Sequence, residues 1–187
     1  DMVKVPLEEN ITITKQCVDY AREISEKTGR EILIEAELGF IGQSSKMLDT
    51  IPDGVGAETM TTVEDANTFI DSTGIDLLAP SVGNIHGMVK TGEPNLHPER
   101  VQAIYDATGT PLVLHGASGN TDSDVRACIE SGVAIVHINT EIRVAYKNAL
   151  VDSLTNTHKD EVAPYKYLPE ARDAIKNVVL QKLKVFN

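Results

Sequence analysis

The sequence has few basic residues and few cysteines, and each shortage excludes a class of protein. Lys and Arg number 17 against 28 Asp and Glu, so the formal net charge at pH 7 is −11. Such a surface repels phosphate backbones and anionic lipid, and a broad nucleic-acid or membrane surface is therefore not expected. The two cysteines, Cys17 and Cys128, are too few for a disulfide framework, and we expect both to be small buried core residues.

Long apolar runs are also missing. None approaches the roughly 18 to 20 residues that a membrane helix needs, and residues 1–10 have neither a basic nor an apolar leader region. A cytoplasmic location is therefore expected. The 187 residues, 41% of them hydrophobic, can bury one good core. They fall short of the roughly 250 residues of a complete (β/α)8 barrel.

The sequence carries no GxGxxG or GxxxxGK[ST] motif after a predicted strand, which disfavours a Rossmann or P-loop nucleotide-binding domain. Instead, short apolar runs alternate with helix-patterned stretches, which is typical of βα units. The predicted strands are 31–38, 75–82, 111–114 and 133–138, and the predicted helices are 7–27, 61–72, 98–107, 121–130, 140–154 and 169–186. Residues 39–60 are predicted to be a long loop, functional or mobile, and residues 155–168 a polar linker. The near-continuous apolar strands predict a parallel sheet, closed as a barrel or open and doubly wound.

Polar side chains gather where the predicted strands end. They are Glu35 and Glu37, then His86, then His115, and finally His137, Asn139 and Thr140. The carboxyl ends of parallel strands share one edge, and in α/β barrels that edge carries the active site. Residues two apart on a strand point the same way, so Glu35 and Glu37 are expected to share a direction.

Two of the five histidines share a context. His86 and His115 each follow an apolar strand and precede a glycine, in GNIHGMVK and LVLHGASG. Two imidazoles at neighbouring strand ends suit a divalent metal such as Zn²⁺, although rings satisfied by backbone carbonyls remain an open alternative. His97 and His158 are expected at the surface. His137, inside an apolar run, is either a site residue or a hydrogen-bonded core histidine.

Small residues beside these histidines could hold a phosphate group. They are Gly87 and the stretch 116–119, and Asn139 and Thr140 add the start of a helix, whose amides attract anions. Turn glycines and an ordinary helix cap are the alternative interpretation.

Four stretches together resemble the class II, metal-dependent ketose-bisphosphate aldolases. They are IEAELG (34–39), DLLAPSVGNIHGMVK (76–90), PLVLHGASG (111–119) and INTEIRVAY (138–146). The resemblance implies a (β/α)8 TIM barrel of which this chain covers about the last four βα units. Residues 1–187 are then the C-terminal part of a single domain.

The same resemblance implies a reaction and a set of site residues. The reaction is the zinc-dependent, reversible cleavage of fructose 1,6-bisphosphate to dihydroxyacetone phosphate and glyceraldehyde 3-phosphate, a step of glycolysis and gluconeogenesis. The metal ligands implied are His86, His115 and Glu37, with a further divalent or monovalent cation nearby, and the catalytic residues are Glu37 and Asn139. The phosphate-binding residues implied are Gly87, Lys90, Gly116, Ser118, Asn139 and Thr140. Sugar phosphates are the expected partners, and a homodimer or larger homo-oligomer the expected assembly.

Three features depart from the family pattern. No Asp-His dipeptide is present, so the catalytic aspartate and the third zinc histidine are missing, as expected if the chain starts near the family's fourth strand. Ser44 and Ser45 stand where the family usually has an acidic loop, and His137 stands where it usually has Asn. A non-catalytic sugar-phosphate-binding relative and a tagatose-bisphosphate aldolase are therefore alternatives. A metal-dependent hydrolase is disfavoured because the sequence has no His-x-His pair.

Overall fold

The computed structural model describes residues 5–42, 46–90 and 94–187. Ser44 and Ser45, the loop positions that depart from the family pattern, lie outside the described residues. The chain divides into two compact units, which meet in the sequence between His137 and Ile138. Each unit is described by itself.

The first unit is built on a parallel sheet of four strands, which confirms the predicted α/β arrangement. Its strands, in the order β1-β3-β5-β6, are β1 (Glu35–Leu38), β3 (Leu77–Pro80), β5 (Leu112–Leu114) and β6 (Val133–Val136). Leu78 and Leu112 pair with each other and are completely buried, as expected for a sheet covered on its helical face.

Strand β1 is shorter than the predicted strand 31–38. Just before it, the carbonyl of Ile34 accepts from the amides of Asp76 and Leu77 at 2.9 and 3.1 Å, and the amide of Ile34 donates to Asp76 Oδ2 over 2.6 Å. Arg22 completes this corner with two hydrogen bonds of 2.8 Å to the same carboxylate. The corner ties the end of the first helix to the start of the sheet.

Helices follow the strands as predicted. They are α1 (Leu7–Thr28), α2 (Val63–Thr73), α3 (Pro98–Thr108) and α4 (Asp122–Glu130). The threonine oxygens cap two of them: Thr62 accepts from the amide of Asp65 at 3.0 Å, and Thr121 accepts from that of Asp124 at 3.1 Å. Consecutive helices pack side by side along the sheet.

A second, smaller parallel ladder joins two of the loops. It pairs β2 (Met47–Leu48) with β4 (Met88–Val89), and a short 3-10 helix, Ala57–Thr59, follows β2. The sequence predicted only loop here, because strands of two residues are too short to show a hydrophobic period.

The second unit is helical. It contains α5 (Thr140–Asp152), a π-helical turn (Ser153–Thr157), α6 (Pro164–Tyr167) and α7 (Pro169–Phe186), and α5 packs against α7. The predicted linker 155–168 is therefore partly helical. Ser153 organises it, since its buried hydroxyl donates to the carbonyl of Tyr167 over 2.9 Å.

The expectation that both cysteines are buried is half right. Cys128 is completely buried, and burial raises the pKa of its thiol to about 12. Cys17 is exposed, because the buried side of α1 is formed by Val18 and Ala21 and Cys17 lies off that side. Within the described ranges, no helix combines the length and apolarity that crossing a bilayer requires.

Candidate metal centre

His86 and His115 lie close together at the carboxyl edge of the sheet. His115 directly follows β5, and His86 lies in the loop between β3 and β4. Their ring centroids are 5.9 Å apart, with the ring planes tilted by 34°. The sequence expectation that these two His-Gly loops converge is confirmed by this geometry.

The two histidine loops cross each other closely, through one side-chain hydrogen bond and one close approach of their backbones. Asn84 is completely buried, and its amide nitrogen donates to the carbonyl of His115 over 2.8 Å. Gly116 has φ 59°, and a Cβ there would lie 2.1 Å from the carbonyl oxygen of Ile85. The Asn of GN-x-HG and the Gly of LHG-x-SG are thus needed for one close loop crossing, whatever else they bind.

The ring of His86 is held in one tautomer. Its backbone amide donates to the carbonyl of Ile41 over 2.7 Å, and its Nδ1 lies 3.1 Å from the carbonyl oxygen of Gly42. A carbonyl can only accept, so Nδ1 carries a hydrogen, and in the neutral ring the lone pair is then on Nε2. Histidine metal ligands are usually oriented in this way, by a hydrogen bond from the ring nitrogen that does not bind the metal.

His115 lies between two carboxylates. Its Nδ1 is 2.6 Å from Glu37 Oε1, and its Nε2 is 2.7 Å from Glu35 Oε1. The hydrogen bond to Glu37 raises the pKa of His115 against the opposing effect of burial, and Glu35 adds to the rise. The same hydrogen bond lowers the pKa of Glu37. Each ring nitrogen of His115 therefore faces a carboxylate oxygen, and both contacts favour the protonated form of the ring.

The small side chain of Ala79 on β3 leaves room for the contact between Glu37 and His115. Strand β3 lies between β1 and β5, and Glu37 pairs in register with Ala79. Paired residues of parallel strands point to the same face, so the side chain of Glu37 must pass residue 79 to reach His115. Ala79 is buried and leaves room for it.

Two groups of donor atoms follow from these positions. The first consists of Glu37, His86 and His115, and the second of Glu35, His115 and His137; within each group the donor atoms lie within 4.8 Å of one another. Imidazole nitrogens with a carboxylate oxygen suit a borderline divalent ion such as Zn²⁺. The first group is the metal set predicted from the sequence.

The predicted phosphate-binding residues are placed on several elements. Gly87, Gly116 and Ser118 lie on the two histidine loops, and Ser118 is buried. Lys90 is exposed and forms an ion pair with Asp49 over 2.8 Å.

Asn139 and Thr140 belong to the second unit, where Thr140 begins α5 and is buried. The phosphate-binding roles of these residues, and the catalytic roles of Glu37 and Asn139, stay predictions.

The remaining histidines separate into two kinds. His137 is not a core residue: it is exposed just beyond β6, and its ring stacks on His115 with centroids 4.5 Å apart. His97 and His158 are partly buried rather than free at the surface, and they pair with Glu99 and Glu170 at 2.7 and 2.9 Å.

Sequence reasoning placed Glu35 at the active-site edge of the sheet, in the same direction as Glu37, but assigned it no role, and it left Asn84 out of the site. Asn84 could have been found only as a buried polar group that needs partners. Gly42 orients His86 through its backbone carbonyl, and a backbone contact of this kind cannot be read from the residue type.

Comparison with known proteins identifies the family to which the chain belongs. The family model of class II fructose-bisphosphate aldolase matches residues 1–187, so the chain belongs to that family. A fructose-bisphosphate aldolase of Staphylococcus aureus (strain Mu50) is 39% identical over 181 residues, which are 97% of this chain and 59% of that protein. The chain thus spans less than two thirds of that relative's length.

Solved structures agree with the family. The YdjI aldolase of Escherichia coli K12 matches with a TM-score of 0.73 and 33% identity, covering 98% of this chain and 58% of that one. The fructose-bisphosphate aldolase of Campylobacter jejuni, at 22% identity and a TM-score of 0.69, supports the fold alone; it covers 97% of this chain and 57% of that one. These neighbours are TIM-barrel aldolases, which confirms the predicted fold class.

Proposed function

We propose that this chain carries the metal-binding part of a class II aldolase that cleaves fructose 1,6-bisphosphate into dihydroxyacetone phosphate and glyceraldehyde 3-phosphate. The observation that carries the proposal is the pair of interlocked His-Gly loops. They bring His86 and His115 to a centroid distance of 5.9 Å, beside Glu37. The family membership and the names of the relatives support the same reaction.

The donor set fits a zinc ion. His86 would offer Nε2, His115 its Nδ1 once that nitrogen has lost its proton, and Glu37 a carboxylate oxygen. A bound Zn²⁺ supplies Lewis-acid polarisation of a substrate oxygen. Glu35 accepts the remaining N–H of His115 and fixes its tautomer, which is the usual role of a carboxylate behind a metal-bound histidine.

The rest of the proposal concerns substrate and setting. Gly87, Gly116 and Ser118 add little side-chain bulk beside the two histidines, which would let a phosphate oxygen approach the backbone closely. Lys90, Asn139 and Thr140 are proposed to complete phosphate binding. A cytoplasmic enzyme of glycolysis and gluconeogenesis, active as a homodimer or larger homo-oligomer, is the setting that we propose.

The test uses the full gene product that carries this sequence. Release of dihydroxyacetone phosphate from fructose 1,6-bisphosphate is followed with a coupled assay before chelation, after chelation and after addition of Zn²⁺. We expect activity that chelation abolishes and Zn²⁺ restores. We also expect His86→Ala to lower it by at least about 100-fold, with His158→Ala, in the second unit, as the control.

Two results would contradict the proposal. No cleavage by the Zn²⁺-loaded full gene product would overturn the assigned reaction, and preferential cleavage of tagatose 1,6-bisphosphate would overturn the assigned substrate. Light scattering on the same sample tests the oligomeric state, and a monomer would contradict that part.

A further inference from the structure

We propose that Asn120 is a positioning residue of the phosphate site, which holds the turn after His115 in the shape that directs backbone amides at a bound phosphate. The inference rests on the proposed role of Gly116 and Ser118 in phosphate binding. It adds a residue that lies outside the metal set and directly precedes Thr121, the cap of α4.

Two buried asparagines hold two consecutive carbonyls of this turn. Asn84 donates to the carbonyl of His115 over 2.8 Å. Asn120 donates through Nδ2 to the next carbonyl, that of Gly116, over 3.1 Å. Because Asn120 is only 6% exposed, water has little access to this contact. The carbonyl of Gly116 is thus kept on the side of Asn120.

The position of this carbonyl fixes the direction of the next amide. The peptide between Gly116 and Ala117 is trans, and in a trans peptide the carbonyl and the amide hydrogen point to opposite sides. The amide of Ala117 is therefore turned away from Asn120. Gly116 and Gly119 have φ of 59° and 84°, and turns of this kind can arrange successive amides into a concave surface that binds anions. A Gly116 carbonyl that rotated into that surface would instead repel a phosphate.

The oxygen of the Asn120 side chain argues against a purely structural role. Nδ2 must be the atom that faces the Gly116 carbonyl, because two oxygens would repel each other there. Oδ1 is buried too, and no residue that the structure describes donates a hydrogen bond to it. A buried oxygen without a donor destabilises a fold, and buried polar groups are normally paired. The side chain thus costs stability at one atom while it orients the turn with the other.

The test compares two asparagines that make the same hydrogen bond in different places. Asn67, in α2, donates through Nδ2 to the carbonyl of Val63, also over 3.1 Å and also four residues back. Asn120→Leu and Asn67→Leu are made in the Zn²⁺-loaded full gene product. Calorimetry with dihydroxyacetone phosphate measures ligand affinity, competition with a chelator measures Zn²⁺ affinity, and urea melts measure stability.

We expect Asn120→Leu to lower the affinity for dihydroxyacetone phosphate at least about tenfold, the effect of losing one hydrogen bond to a charged group. Its Zn²⁺ affinity should change less than about threefold, because Asn84 still holds the carbonyl of His115. Its urea midpoint should fall no further than that of Asn67→Leu, since the unpaired oxygen is removed together with the hydrogen bond. Asn67→Leu should leave both affinities unchanged.

Two results would overturn the proposal. One is an affinity of Asn120→Leu for dihydroxyacetone phosphate within about threefold of the unmodified protein. The other is an equal loss of Zn²⁺ affinity, which would show that Asn120 only supports the fold of the loop. If Asn120→Leu proves unfolded by circular dichroism, Asn120→Ser takes its place, because it also removes the Nδ2 donor, and the same outcomes decide.

Failure of the proposed reaction gives a different pattern. An unmodified protein that binds dihydroxyacetone phosphate without cleaving fructose 1,6-bisphosphate contradicts the aldolase assignment, and the comparison of affinities still decides the role of Asn120. An unmodified protein that does not bind dihydroxyacetone phosphate overturns both.

Discussion

Replacing Gly116 by alanine should separate the two histidine loops. Gly116 has φ 59°, and the new Cβ would lie 2.1 Å from the carbonyl oxygen of Ile85 and 2.5 Å from its carbon. Gly109, which ends α3, is a matched control: its φ is 64°, and a Cβ there meets nothing within 4 Å. Both variants place an alanine at a similar positive φ and carry the same backbone strain, and only Gly116→Ala adds a collision with the neighbouring loop.

The magnitudes of the two changes can be separated. An alanine in the left-handed region costs about 1 kcal/mol relative to glycine. A buried Cβ that forces backbone aside adds a further ~1 to 3 kcal/mol. We therefore expect Gly109→Ala to lower the free energy of unfolding by about 1 kcal/mol, and Gly116→Ala to lower it by about 2 to 4 kcal/mol. For a chain of this size, each kcal/mol corresponds to roughly 2 to 4 °C in Tm.

The assay combines denaturant unfolding with Zn²⁺ affinity measured against a competing chelator. Displacement of the Ile85 carbonyl should move the adjacent His86, so Gly116→Ala should also weaken Zn²⁺ binding by at least about tenfold, a loss of the size seen when the groups that orient a metal ligand are removed. Gly109→Ala should leave Zn²⁺ affinity unchanged. Equal stability losses in the two variants, or an unchanged Zn²⁺ affinity in Gly116→Ala, would refute the loop-locking argument.

Three further predictions concern the scaffold. Burial opposes ionisation of Asp76, yet hydrogen bonds to a backbone amide and to Arg22 outweigh it and lower its pKa. The ionised carboxylate therefore stabilises the fold above about pH 3.8, and this stabilisation is lost as the pH falls through the lowered pKa. Asp76→Asn should lower the free energy of unfolding by about 1 kcal/mol at neutral pH and by progressively less in acid. A loss that does not depend on pH in urea melts would contradict this. Cys17 should react with a thiol reagent in the native chain while Cys128 stays protected until denaturant is added, and two native reactive thiols would exclude the described burial. Thr62→Ala removes the cap of α2 and should cost about 1 kcal/mol, whereas an unchanged unfolding midpoint would show that the cap contributes nothing.

The strand and helix order was predictable because periodicity and capping are local. Helix α7 was predicted at its observed bounds, 169–186, and the glycines at 74 and 109 end helices as expected. The ladder between β2 and β4 was not predictable, since two-residue strands depend on the loops that bring them together. Cys17 was wrongly expected to be buried, because an apolar residue next to the buried face of a helix does not always belong to that face.

The candidate metal ligands could be picked out from the sequence, but the contacts that surround them could not. His86 and His115 could be recognised from their shared His-Gly context, and Glu37 from its place at a strand end. The position of His115 between Glu35 and Glu37 depends on the strand order β1-β3-β5 and on the small side chain of Ala79 between them. That information belongs to the register of the sheet, which periodicity alone does not fix.

The contacts that assemble the donor atoms all lie within the first unit. Asn84 holds the carbonyl of His115, Gly116 admits the loop of Ile85, and Gly42 orients His86. None of these contacts uses a residue after His137. Metal binding is therefore expected to respond to substitutions in the interlocked loops and not to those in the helical unit, which is why His158→Ala can serve as the control in the chelation experiment.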